Sequence, residues 1–254
     1  MRVSWLNSHD LHSVTPEPLP ADASPRRYFR LPDTGLLLVQ VPPGDTDQPV
    51  FTRVAEHLNG LGLSAPKTRV AAAAEGLYLV EDFGPRTFSS EIDRGRPEAD
   101  LYSAAIDAIT ALHSAPNATT IDLPAYDADF LLSETLIFTD WFAPLANPDH
   151  DTEKFQADFT RHWRDALRPI ASDRSALVLR DFHLDNLIHL PARPGVAACG
   201  LIDVQGARIG APEYDLASLL QDARRDLEPG LEEVMLTRYL AAHPQDEKAF
   251  RARF

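Results

Sequence analysis

The chain reads as an α+β protein, with a small β-rich part over residues 1–82 and a larger, mainly helical part over residues 83–254. Three observations lead there. Segments 26–31 and 35–41, then 68–73 and 77–80, pair up as short hairpins, the first turning on Pro-Asp-Thr-Gly and the second on Glu75-Gly76. Beyond residue 100, apolar side chains recur at helical spacing. Finally, residues 187–190 and 196–202 alternate like one more hairpin inside the helical part, ending on Asp203.

Each element follows from local chemistry. Small residues Ala21 to Ser24, then Pro25, lead into a strand bearing Arg26, Arg27 and Arg30. Such a loop either cradles phosphates through backbone amides and guanidinium groups or is a solvated hairpin. Asp47 and Pro49 open a helix striped by Phe51, Val54, Leu58 and Leu61, stopping near Gly60 and Gly62. The strand before it, Leu36-Leu37-Leu38-Val39-Gln40-Val41, carries no lysine. In the helical part, Leu101, Ala105, Ile109 and Leu112 stripe one helix. Phe130, Leu131, Phe138, Trp141 and Phe142 mark a second, with Asp127 as its cap, and Phe155, Phe159, Trp163 and Leu167 a third. These aromatics are expected to pack in the core, and His113 and His162 to be structural. Residues 212–227, 230–242 and 244–254 read as three further helices.

Composition narrows the partners. A net charge of −14 argues against a general nucleic-acid or anionic-membrane surface. No apolar run approaches the ~18 residues of a membrane span. The single cysteine, Cys199, lies among apolar strand residues and fits a reducing cytoplasm.

The chemistry concentrates between residues 177 and 217. An apolar run delivers Arg180-Asp181 into a polar loop that Asn186 closes, and the following hairpin ends on Asp203. One carboxylate to accept a proton, and an amide with a second carboxylate to hold Mg²⁺, form a phosphoryl-transfer constellation.

The stretch resembles the aminoglycoside phosphotransferase and choline kinase superfamily, whose brace D-x-H-x-x-N is filled by Asp181, His183 and Asn186. Its metal segment is matched by Ile202, Asp203, Ala207, Gly210, Asp215, Leu216 and Ala217, with Val204 in place of an aromatic residue. Arg26-Arg27-Tyr28 and the run from Tyr214 to Ala223 resemble most the branch acting on the anomeric hydroxyl of N-acetylmuramate and N-acetylglucosamine. Ala21 and Pro25 depart from that branch's loop, and Gly206 stands where an acidic residue is common.

The resemblance implies a protein-kinase-like bilobal fold and an ATP- and Mg²⁺-dependent kinase of a small molecule, an amino sugar first of all, acting as a monomer. Asp181 would be the base, Asn186 and Asp203 the metal ligands, and Asp215 a buried support for the catalytic loop. Ser24, Arg26 and Arg27 would meet the nucleotide phosphates, and the backbone near Glu81 and Phe83 its adenine. Arg27 or Arg53 would stand in for the missing lysine. Gln205 and Arg208 would face the substrate, while His183 and Asp185 would either bind sugar hydroxyls or order the loop. Relatives in that branch run on for several more helices, so the chain is expected to be C-terminally truncated or naturally short. An aminoglycoside, choline or homoserine kinase, or a nucleotide-binding pseudokinase scaffold, are the other readings.

Overall fold

The computed structural model describes residues 2–11, 14–20, 25–146 and 152–254. Along the chain run α1 (Arg2–Asn7), β1 (Glu17–Pro18), β2 (Arg27–Leu31), β3 (Leu36–Gln40), α2 (Asp47–Gly60), β4 (Thr68–Ala72), β5 (Leu77–Glu81) and α3 (Phe88–Asp93). Then come α4 (Glu98–Ser114), α5 (Ala128–Ile137), a π-helical turn (Phe138–Phe142), α6 (Ala143–Ala146) and α7 (Thr152–Leu167). The rest comprises β6 (Ala176–Val178), β7 (Leu187–His189), β8 (Cys199–Leu201), β9 (Arg208–Gly210), α8 (Glu213–Leu220), α9 (Leu231–Ala242) and α10 (Glu247–Arg253).

The chain divides into two compact units, Met1–Arg94 with Asp185–Gln205, and Gly95–Leu184 with Gly206–Phe254. The first is built on an antiparallel sheet in the order β1-β2-β3-β5-β4. Central β5 is buried from Leu77 to Val80, while β2 alternates, so Tyr28 and Arg30 share one face and Arg27 and Phe29 the other. Phe29 packs on a core of Leu6, Leu31, Leu38, Leu77 and Leu79. Helix α2 buries Gln48, Phe51, Val54, Ala55 and Leu58, the 3–4 stripe the sequence implies with one polar addition.

The hairpin of β7 and β8 belongs to this same unit, because backbone bonds fix it at both edges. Leu201 N–H donates to Ser64 C=O at 2.7 Å, and His189 N–H donates to Arg86 C=O at 2.8 Å. The Ser64 hydroxyl adds a bond to Ala197 C=O at 2.7 Å. Cys199 is fully buried there, and burial pushes its thiol pKa up, as suits a packing side chain.

In the second unit α4 lies against α9, joined by the Arg238–Asp107 pair at 2.7 Å and by His113 with the Tyr239 hydroxyl at 2.9 Å. Burial drives the His113 pKa down to about 3, which keeps it neutral and structural, as the sequence implies. Strands β6 and β9 pair antiparallel, a pairing the sequence did not announce.

Two expectations need correction. The aromatics after Phe130 do not fill a core: Trp141 is 75% exposed, Phe142 58% and Phe138 43%. The wider π turn at Phe138–Phe142 breaks the 3.6-residue register of α5, so the apolar stripe rotates outward. Phe138 then stacks on Phe159 of α7, a helix that buries only Leu167 fully. The helix from Pro212 also ends early, at Leu220, because the Asp222 carboxylate captures Arg224 N–H at 3.1 Å and turns the chain.

Glu91 makes a titratable joint in the first unit. It is 5% exposed, accepts two bonds from Arg86 at 3.0 and 2.7 Å and one from Arg94 at 3.1 Å, and lies 3.4 Å from His189. The Arg86 bonds foremost hold its pKa down at about 2, against an ordinary 4.5. A depressed acid stabilises the fold above its unfolded pKa, and the contribution is lost as pH falls through the folded one. The thermal-stability gap between the parent and Glu91→Gln should therefore be full above about pH 4.5 and close toward pH 2. A gap of constant size across that window would show that Glu91 acts by packing alone.

Candidate active site

The first unit encloses a cavity of about 610 Å³, within the range of small-molecule sites. One wall is sheet, from Tyr28, Arg30, Leu37 and Val39, which agrees with the alternation of β2 and β3. A second is the segment after β5, and a third comes from Asp185, Asn186, Asp203 and Gln205.

The segment after β5 is tightly specified. Glu81 N–H donates to Lys67 C=O and Asp82 N–H to Gly35 C=O, both at 2.9 Å, and Gly84 N–H donates to the Asp82 carboxylate at 2.7 Å. Among the described residues the Phe83 N–H takes no intramolecular bond, so it is the donor left for a ligand edge. The Phe83 ring is clamped between the Arg193 guanidinium, 4.7 Å from its centroid, and Gly200, where a Cβ would lie 2.8 Å from the ring. Arg193 is itself fixed by Glu81 at 2.6 Å.

Asn186 and Asp203 are joined through the hairpin ends, where Ile202 N–H donates to Asn186 C=O at 3.1 Å. Asp203 has φ +60°, a left-handed conformation unusual for a residue with a side chain, and its carboxylate accepts the Gln205 amide at 2.5 Å. One carboxylate and one amide oxygen on a common cavity wall are the hard donors that suit Mg²⁺, which keeps several waters of its own.

In the second unit, Asp181 follows Arg180, whose φ is +74°. The backbone there is held by the fully buried Asp215, which accepts Leu179 N–H at 2.7 Å and Arg180 N–H at 2.9 Å. Burial pushes the Asp215 pKa up to about 7, and the two N–H donors work against that rise. The Arg180 side chain is tied to Glu134 at 2.6 Å and reaches to 3.8 Å from Asp181. Glu134 also receives the Tyr126 hydroxyl. Gly206 lies so close that an added Cβ would sit 3.1 Å from Arg180 Nη1 and 3.6 Å from Asp181 Oδ2. His183 is buried, with its N–H on Asp181 C=O at 3.2 Å.

The sequence-implied residues thus fall in two groups. Glu81, Phe83, Asp185, Asn186, Asp203 and Gln205 share the cavity of the first unit. Asp181, His183, Arg208 and Asp215 belong to the second. Ser24 lies outside the described residues. Arg26 is buried and bound to Asp47 at 2.6 Å, with Asp45 at 3.6 Å. Arg27 is exposed on the β2 face opposite Tyr28 and does not line the cavity, and neither does Arg53.

Of the three arginines the sequence singles out on this strand, Arg30 lines the wall but is paired with Asp82 at 2.5 and 3.1 Å. One cavity residue escaped sequence reasoning. Gln48, in the first turn of α2, is 2% exposed, lines the cavity, and its Nε2 has no hydrogen-bond partner. A polar residue on the apolar stripe of that helix is the signal that could have found it.

An antiparallel sheet with one packed helix, a helical second unit, and a D-x-H-x-x-N loop followed by an aspartate at a hairpin end make up a protein-kinase-like fold. The family model described as the phosphotransferase enzyme family matches residues 15–251, and the chain belongs to that family. It is 37% identical over 252 residues to an N-acetylmuramate/N-acetylglucosamine kinase of Caulobacter vibrioides, covering 94% of this chain and 67% of the relative. A protein of the same name from Pseudomonas aeruginosa is 32% identical, with 81% of this chain and 59% of the relative covered. The chain thus spans about two thirds or less of these relatives. Among solved structures, the aminoglycoside phosphotransferase APH(3'')-Id of Streptomyces rimosus, in complex with ADP and streptomycin, shares the fold at a TM-score of 0.62 and 16% identity. That match covers 98% of this chain and 95% of the other. Among the described residues no helix is long and apolar enough to cross a membrane.

Removing the Asp215 carboxylate tests the loop directly. Asp215→Ala leaves one buried and one part-buried N–H donor unpaired, at about 1–3 kcal/mol each, so chemical denaturation should show a loss of roughly 2–6 kcal/mol. A loss under about 1 kcal/mol would mean that the Arg180 conformation does not depend on this carboxylate.

Proposed function

We propose that the protein is an ATP- and Mg²⁺-dependent kinase that phosphorylates the anomeric hydroxyl of N-acetylmuramate or N-acetylglucosamine, the sugars named for its relatives. The observation that carries this reading is one cavity holding both Asn186 and Asp203 together with the free Phe83 N–H.

In this reading the first unit binds the nucleotide. Phe83 N–H donates to the adenine edge beside Glu81, and the apolar faces of Leu37, Val39 and Ile202 enclose the base. Asn186 and Asp203 would hold Mg²⁺, which neutralises charge developing on the phosphates. Gln205 steers the Asp203 carboxylate through its amide bond. The second unit supplies the acceptor base. Asp181 takes the proton of the acceptor hydroxyl as that oxygen bonds to the γ-phosphorus and the bond to the bridging oxygen breaks, releasing ADP. His183 is given the loop-ordering role, in keeping with its burial, and Asp185 the contact to a sugar hydroxyl. Arg26 is given a structural role at the start of β2, since its guanidinium is committed to Asp47.

The missing lysine is the remaining question. Arg27 faces away from the cavity and Arg30 is neutralised by Asp82, which leaves the unpartnered Gln48 Nε2 as the donor toward the phosphates. Gln48→Leu keeps the bulk and removes that donor. The KM for ATP should rise by about tenfold, the size of one hydrogen bond, while the acceptor KM holds. An unchanged ATP KM would return Gln48 to packing.

Asp181→Asn keeps shape but cannot take the proton. A kcat loss of roughly 10²–10⁴-fold with unchanged nucleotide affinity is expected in a coupled assay over amino sugars, aminoglycosides and choline. Turnover of an amino sugar by Asp181→Asn at the parent rate would remove the base assignment.

A further inference from the structure

Arg208 opens β9, two residues beyond Gly206, in the same unit as Asp181. Its guanidinium carbon lies over the Phe130 ring, 3.2 Å from the centroid, and Nη1 donates to Ala125 C=O at 3.3 Å. The Arg180 guanidinium approaches the same ring at 5.9 Å. Two cations therefore approach one aromatic ring, and one of them, Arg180, reaches to 3.8 Å from Asp181. They differ in one respect: Arg180 is matched by Glu134, whereas Arg208 has no carboxylate within ion-pair distance among the described residues. Gly206 brings no acid to this corner; Asp127 is engaged in capping α5, and Asp129 faces Arg164 at 3.6 Å. Burial, and then Arg180, lower the Arg208 pKa from its ordinary value, while Glu134 and Asp127 pull it the other way without forming an ion pair with it.

A rigid guanidinium fork with most of its donors unused matches a carboxylate, and it is poorly suited to reading neutral hydroxyls alone. We propose that Arg208 binds a carboxylate on the acceptor, so that a sugar acid such as N-acetylmuramate, through its lactyl group, is preferred over neutral N-acetylglucosamine. The inference rests on the kinase reading for the identity of the acceptor, and on the Arg180–Gly206–Arg208 geometry for the anion.

The test compares the parent, Arg208→Gln and Arg208→Lys on N-acetylmuramate, its carboxamide and N-acetylglucosamine, with thermal melts to confirm folding. In Arg208→Gln, kcat/KM on N-acetylmuramate should fall roughly 10–100-fold, mainly through KM, while the two neutral sugars change by less than about threefold. Arg208→Lys should recover part of the loss, since it restores charge without the fork. An equal loss on all three sugars, centred on kcat, would assign Arg208 to the transferring phosphoryl group or to packing on Phe130, and overturn the proposal. No loss on any sugar would overturn it as well. If the parent turns over none of them, calorimetric titration separates the two readings. Tighter binding of N-acetylmuramate than of its carboxamide, abolished in Arg208→Gln, would keep the anion site and discard the kinase reading. Equal binding of acid and amide would discard the anion site.

Discussion

The Asp215 carboxylate is the constraint on which the second unit's chemistry rests. It is fully buried, and its two oxygens accept the N–H groups of Leu179 and Arg180. Arg180 must sit at φ +74°, a conformation that costs a side-chain-bearing residue of order 1–3 kcal/mol. Such strain persists only where neighbours over-determine it. Here Asp215 fixes the backbone on one side, and Glu134 fixes the Arg180 side chain on the other. Asp181 then emerges from a loop with little freedom, as the base proposed to meet one hydroxyl would need.

Supporting groups around this point are arranged to stay neutral or paired. His113 Nε2 lies 4.0 Å from Asp215, yet burial keeps the ring uncharged, so it packs beside the carboxylate without forming a full ion pair. Tyr126 and Tyr214 meet edge to face at 4.5 Å, and the Tyr126 hydroxyl bonds Glu134. A Cβ on Gly210 would come within 2.8 Å of Tyr126, so the glycine of β9 is what lets the Tyr126–Glu134–Arg180 chain close up. The first unit solves the same problem differently. Asp203 also sits at positive φ, and there the hairpin ends and Gln205 hold it.

Much of this was legible in the sequence because spacing carries it. The hairpins of the first sheet, the start of α2 at Asp47 and the cap at Asp127 all follow from local pattern and turn chemistry, while the Asp181–Asn186–Asp203 series is a proposal read from motif spacing. What was not legible depends on contacts far apart in the chain. The strand Arg208–Gly210 exists through pairing with Ala176–Val178, which no local period announces. The face of β2 that Arg27 occupies is decided by the core under Phe29, so three arginines in a row of five residues could not be sorted from sequence. The aromatic run after Phe130 kept a helical spacing on paper, but one π turn was enough to turn it outward.

Charge gives the last connection between the units. In a chain of net charge −14, anion recognition has to be built locally, and most of the arginines near the proposed sites are already spent. Arg26 serves Asp47, Arg30 serves Asp82, Arg193 serves Glu81 and Arg180 serves Glu134. Each pair shapes a wall or loop and contributes little net field, since its charge is cancelled at contact distance. Residues free to recognise a ligand are then those left over after this pairing. Among the described residues near the proposed sites, the first unit leaves a buried amide, Gln48, and the second a guanidinium without an ion pair, Arg208. On the proposed reading, a neutral donor at the cavity would put more of the burden of phosphate charge on the Mg²⁺ that Asn186 and Asp203 would hold, whereas a positive charge in the second unit would select for an acid. The same economy of cations accounts for both the missing lysine and the unpaired arginine.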